Sequence, residues 1–467
     1  MVRHVNSRRW AAGGALAAIV VGGGALVWHL LACTESPMAY SPSGKDLAFV
    51  TMEPCGGEDA GWIAGPRAYR LMVLSGGTKL RVVETSTDEM LCAPAFTPDG
   101  KRLCYLRIAL LSADGAARLQ EHLQKREEAR GEERPFVWGW PRQAQLGTAP
   151  VTQPDLPALG ADRALPALEG MARFYSDLSA QVIMPVTLVV REAATDAVVK
   201  AIRLGLPFGG EASKSGLDYF TMHIQVAADG RWAYVCGGNV VVAVDLEARE
   251  EPRVVAAPAW AAALSADGKV LSVLQGGMEG TPGAALGFIQ TDGQTALYKR
   301  WEKRNSPCGI AWLDAQTVAV LEPEADGSRV QLHLFQADGK LKKSVPFALP
   351  EHGKHEGQNL GALGVAPDGQ HLVIAFEKVA FFLKADGTVL KQWESKDEAL
   401  AQPTFAPDGK QVAFKVLAQK EGDYLRAAAI AFFTPEGKEV SRTPIPKIKP
   451  GTTRPASQPT TGPGAPR

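Results

Sequence analysis

Two histidines three residues apart, His352 and His355, lie with Glu351 and Glu356 in the stretch 350–357 and form the densest set of metal-ligating side chains in the chain. Imidazole nitrogens and carboxylate oxygens bind zinc, but a site needs three or four of them in fixed geometry, and a loop offering two nitrogens does not supply that. The other histidines stand singly, and no serine, histidine and acid occur in an order or spacing that proposes a charge relay. The Gly-rich patches lack the Lys-Ser/Thr of a phosphate loop, and the Asp-Gly pairs lack the recurring acids of a calcium loop. No catalytic residue, metal or cofactor is expected.

A different chemistry is proposed at the N-terminus. Arg3, Arg8 and Arg9 precede an uncharged run from Ala11 to Ala32, which as a helix is roughly 33 Å long, enough to span a bilayer. The run is an export signal and its length favours an uncleaved anchor. It ends in Leu30-Leu31-Ala32-Cys33, which resembles the lipobox at which bacterial lipoproteins are cut and acylated, so Cys33 is a candidate lipidation site. Lipidation and an uncleaved helix both stay open; either keeps the positive end in the cytoplasm and exports the rest. Of the other cysteines, Cys104 and Cys236 fall at apolar strand positions and read as buried small side chains, whereas Cys55 and Cys92 fall in loops and are the better disulfide candidates. The 50 basic and 50 acidic residues cancel, which disfavours a nucleic-acid partner.

Candidate binding residues are aromatic. Trp138 and Trp140 lie in the loop sequence PFVWGWP, and Phe174 and Tyr175 belong to a helically spaced stripe with Leu168, Met171 and Leu178. Ala116 to Arg130 reads as a charge-rich helix with Glu121 four residues before Lys125. All of these fall within one insertion, about 112–183.

The elements that must carry such residues repeat. AYSPSGKDLAFV from Ala39 recurs as AFTPDGKRLCYL, QVAADGRWAYVC, ALSADGKVLSVL, GVAPDGQHLVIA and TFAPDGKQVAFK, with a degenerate copy, GIAWLDAQTVAVL, from Gly309. Alternating apolar residues make a strand, Pro presets the first corner of a type I turn, Asp takes the second, and Gly takes the left-handed position that re-enters the next strand. A second strand pair with its own tight turn follows each copy, so the unit is four strands, seven times over. The phrase resembles the WD-like repeat of TolB-type β-propellers, and the resemblance covers nearly everything from Pro37 to about Pro446. It implies the fold and little about function, because Pro, Asp and Gly do turn chemistry. Some propeller-bearing relatives of that family are serine peptidases; this chain has no GxSxG elbow.

The expectation is an all-β, seven-bladed β-propeller (37–446) with a helical insertion in blade two (about 112–183), an N-terminal hydrophobic anchor (1–33) and a Pro/Thr/Gly tail (447–467) too poor in apolar residues to order itself. The short turns share one face; the long connections share the other, which is the expected binding face. The expected function is a non-enzymatic, exported scaffold, facing the periplasm or cell exterior, that binds a protein or peptide partner and is held to the membrane by its N-terminus. The rival is a propeller enzyme or small-molecule binder using the central channel, against which the innermost strands read Ala, Val, Leu, Ile and Phe with few acids.

Overall fold

A computed structural model describes residues 36–54, 67–87, 89–109, 136–137, 182–208, 222–237, 240–256, 259, 261–275, 285–291, 296–300, 309–324, 328–349, 362–376, 378–420 and 423–446. Seven units follow one another along the chain, each of four antiparallel strands paired in sequence order, and the second carries one further short strand, Phe136–Val137. Their limits are Ala39–Ser86, Glu89–Phe208, His223–Ala256, Ala261–Arg300, Gly309–Ala348, Ala362–Glu394 and Glu398–Pro444. They are named blades one to seven, and the four antiparallel strands of each are A to D in chain order, Phe136–Val137 standing outside this lettering.

The turn chemistry is as the sequence proposes. Gly44, Gly100, Gly230, Gly268, Gly369 and Gly409 all have φ between 68° and 71°. In each, the glycine N–H donates to the residue three before it, as in Gly100 to the Thr97 carbonyl at 2.8 Å. The Asp carboxylate accepts the N–H two residues on, at 3.0 Å for Asp99 with Lys101 and 2.9 Å for Asp368 with Gln370. The degenerate copy makes the same contact from Asp314 to Gln316, at 2.7 Å.

A blade cannot cover its own two faces, and the blades cover each other. One apolar layer runs through blades one, two and three, and others join three to four, four to five, five to six, six to seven and seven to one. Inner strands are therefore buried on both faces, as in strand C of blade three, Val240–Asp245, where every residue is buried. Strands D carry the exposed outer surface, as in Glu439–Pro444 of blade seven.

Several expectations need correction or fall elsewhere. Cys92 is not in a loop: it lies in strand A of blade two, 2% exposed, with its thiol 3.9 Å from the Met222 sulfur. Cys55 lies outside the described residues. Cys104 and Cys236 are buried as expected, and neither is in a disulfide. The insertion ends earlier than 183, because Val182–Ile183 opens strand C of blade two, and Phe136–Val137 pairs with it in parallel rather than lying in a loop. The helices expected in the insertion, the expected N-terminal anchor and the Pro/Thr/Gly tail lie outside the described residues.

Candidate site in the central channel and on the face of long links

The seven strands A surround a cavity of about 620 Å³ on the axis. Apolar side chains such as Ala95, Ala261, Ile310 and Leu363 line it, and polar surface makes up as much of its wall as apolar surface. The polar groups on it brace strands to one another. His223 Nε2 lies 2.7 Å from the Ala262 carbonyl, Gln225 Nε2 donates to the same oxygen at 3.0 Å, and Gln225 Oε1 accepts the Leu264 N–H. On the far side of blade four, Trp312 Nε1 donates to the Ala263 carbonyl at 2.9 Å. Tyr40 is different: its hydroxyl is buried and has no hydrogen-bond partner among the described residues. Burial, and secondarily the negative charge of Asp408, raises the Tyr40 pKa, so the group stays a protonated donor.

Prolines of blades one, two, six and seven stand in the A-to-B turns at one end of this channel, and here their role exceeds turn chemistry. A Cβ built on Gly100 would stand 3.3 Å from Pro42 Cδ, on Gly44 3.5 Å from Pro407, on Gly230 3.8 Å from Pro98 and on Gly409 3.9 Å from Pro367. The glycine of each of these turns thus tucks beneath the proline of the preceding blade. The repeat phrase builds the hairpin and also the contact between hairpins.

The opposite face carries the B-to-C connections and the links between blades. The longest of them, 55–66, 110–181 (interrupted by Phe136–Val137), 209–222 and 349–361, all leave from and return to this face. Cys33, Trp138, Trp140, Phe174 and Tyr175, as well as His352 and His355, lie outside the described residues.

One side-chain row escaped the sequence. Ser344, exposed on strand D of blade five, lies 2.7 Å from His333 Nδ1, and His333 Nε2 lies 2.8 Å from Glu322 Oε2. His333 and Glu322 are each 2% exposed. The order is that of a charge relay, but it runs across strands D, C and B of a sheet at the outer edge of the disc, away from the axial cavity, and it ties the three strands together. The spacing of 11 residues at each step reflects only the length of two hairpins.

A second feature missed in the sequence is a matched pair of bulges. Strands A of blades two and seven are irregular between Cys92 and Ala95 and between Ala401 and Thr404. At each, the residue before a proline is left-handed, Ala93 at φ 53° and Gln402 at φ 55°. The signal was present: Pro94–Gly100 and Pro403–Gly409 share Pro-x-Phe-x-Pro-Asp-Gly, which no other blade has.

No family model matches the sequence, and no curated protein matches it. Many solved structures are similar to the chain. The β-propeller domain of Cps50 (Swd1) from Myceliophteria thermophila is 12% identical with TM-score 0.40, covering 57% of this chain and 84% of that one. The dihydro-heme d1 dehydrogenase NirN, solved with DHE, is 10% identical with TM-score 0.43, covering 88% of this chain and 66% of that one. TolB is also among them. The Acinetobacter baumannii protein is 15% identical with TM-score 0.35, covering 67% of this chain, and the chain spans 54% of TolB's length. The propeller assignment rests on the seven sheets and the closed sequence of apolar layers, and in it the phrase resembling TolB-type repeats forms the A-to-B turns.

Proposed function

We propose that this chain is an exported, membrane-anchored propeller that holds a protein or peptide partner on the face of the long links and does no catalysis. The observation that carries the reading is the asymmetry of the disc: its longest connections share one face, while the opposite face is built from tight, repeated turns. The test is photo-crosslinking from position 138 in membranes. One dominant protein adduct is expected, and it should disappear when 110–181 is replaced by a short Gly-Ser turn joining Ala109 to Val182. Adducts with no preferred protein would sink the reading. Anchoring is tested separately by intact mass and detergent partitioning beside Cys33→Ala, which distinguishes an acylated chain lacking its first 32 residues from one that keeps Met1.

The axial cavity supports a second reading. Its volume falls in the range of small-molecule sites, and polar groups share its wall with apolar ones. A slender ligand with both polar and apolar surface suits it. Filling the channel by Ala362→Phe should abolish binding of such a ligand; unchanged binding would remove the channel from consideration.

A further inference from the structure

Blade one enters the ring through a built port. Its strand A is two residues long, while the strands A on either side, in blades two and seven, have eight residues each and carry the matched bulges. Residues 36–38 fill the gap between them. Ser36 Oγ accepts the Ala93 N–H at 2.9 Å, and the Ser36 carbonyl accepts from Lys415 Nζ at 2.6 Å. The Met38 carbonyl accepts from Thr404 Oγ1 at 3.5 Å. Ser36 is 3% exposed and Lys415 fully buried. Left-handed backbone at a non-glycine residue and a buried ammonium are both costly, and they persist only where the surroundings over-determine them. Here both are arranged around the incoming chain, so the position of Ser36 is held from two sides.

The direction of that chain fixes the face from which it enters. From Ser36 to Tyr40 it runs toward the face of short turns, so whatever precedes Ser36 starts from the wall of the channel on the side of the long links. Cys33 is three residues upstream, at most about 11 Å away even if fully extended. Strands A of eight residues span roughly 27 Å between the two faces, and Ser36, bonded to Ala93 and Lys415 about midway along them, is four residues or roughly 13 Å from Tyr40 at the turn end. A lipid or helix end at Cys33 cannot reach round to the turn face.

We propose that the face of the long links is apposed to the bilayer, with the membrane attachment on the ring axis, an inference that rests on the anchored reading above. The Pro-bearing turns then point away from the membrane, and a partner taken up on the long-link face is itself held in the same membrane.

Lys396, in the link between blades six and seven, and Lys410, in the turn of blade seven, are both exposed and report on opposite faces. A fluorescent amino acid is placed at one or the other in the full chain, which is reconstituted into phosphatidylcholine vesicles carrying a nitroxide headgroup lipid. Quenching at 396 should exceed that at 410 about twofold or more, given the roughly 27 Å between faces. Vesicle flotation is read in the same sample. If the chain does not float with the vesicles, the anchored reading and this inference both fail. If it floats and position 410 is quenched as much as 396, the orientation alone is overturned. A spacer of about twelve Gly/Ser residues between Thr34 and Glu35, adding some 17–21 Å of mean reach, should keep flotation and shrink the difference. An undiminished difference would show that the tether does not set the orientation.

Discussion

At Gly369 the chain needs two things at once. Its backbone is left-handed at φ 68°, and a Cβ there would stand 2.2 Å from the Leu313 carbonyl oxygen of the neighbouring blade. Gly76 shares only the first need, with φ 59° and no atom within 4 Å of a Cβ. Gly76→Ala should therefore cost about 1 kcal/mol of strain and Gly369→Ala at least about twice that, read as a shift in the urea unfolding midpoint. Equal costs would mean that the approach between blades is no constraint. The buried thiols make a second prediction at this scale. Desolvation pushes Cys104 and Cys236 up to about 12. Because the folded value lies above the unfolded one, near 8.5, their contribution is complete below about pH 8.5 and is lost as pH rises from there toward 12. Stability should fall across that window, and Cys104→Ala with Cys236→Ala should flatten the fall. Both thiols should stay unreactive to an aromatic disulfide reagent at pH 8 until the protein is unfolded.

Within a single blade, the row Glu322–His333–Ser344 shows how position along a sheet sets the energetic weight of a polar group. Glu322 is buried and, among the described residues, only one of its oxygens has a partner, the His333 imidazole. His333→Ala should cost about 3–5 kcal/mol because it strands a buried carboxylate, whereas Ser344→Ala, at the solvated end, should cost about 1 kcal/mol or less. Equilibrium unfolding of the two variants decides this. Comparable losses would mean that the serine is as integral as the histidine, and covalent capture of Ser344 by a fluorophosphonate would overturn the non-catalytic reading of the row. The seam between blades one and two has a similar construction. Glu84 sits 2.7 Å from Arg107 Nε, pairs with Arg191, and accepts from the Tyr105 hydroxyl. Burial first, and then the Glu84 charge, raises the Tyr105 pKa and keeps it a donor to that carboxylate.

Across the whole molecule, the ring closes without a strand shared between its first and last blades. Blades one and seven meet through an apolar layer that includes Phe49, Met72, Leu417 and Phe432, and through Thr443 and Lys415, whose acceptors are the Gly77 and Ser36 carbonyls. A chain beginning at Glu35 should therefore unfold at nearly the same urea concentration as the full protein. One beginning at Tyr40 removes one acceptor, the Ser36 carbonyl, from a buried ammonium and should lose about 1.5–3 kcal/mol. Equal stabilities would mean that the port is not a structural element of the ring.

The sequence by itself determined the hairpins, the number of blades and the face to which each connection belongs, because a Pro-Asp-Gly turn between alternating strands is specified by residues within five positions of one another. It placed Cys104 and Cys236 correctly for the same local reason, and it misplaced Cys92 because the bulge that carries that strand past Pro94 answers to residues 36–38 rather than to its own neighbours. Only the tertiary structure decided that the repeat's proline covers the next blade's glycine, that Glu322, His333 and Ser344 meet, and that Ser36 is locked between blades two and seven. These contacts join residues from 11 to 379 positions apart. Their energy is gained only when the ring closes, so nothing in the local pattern records them.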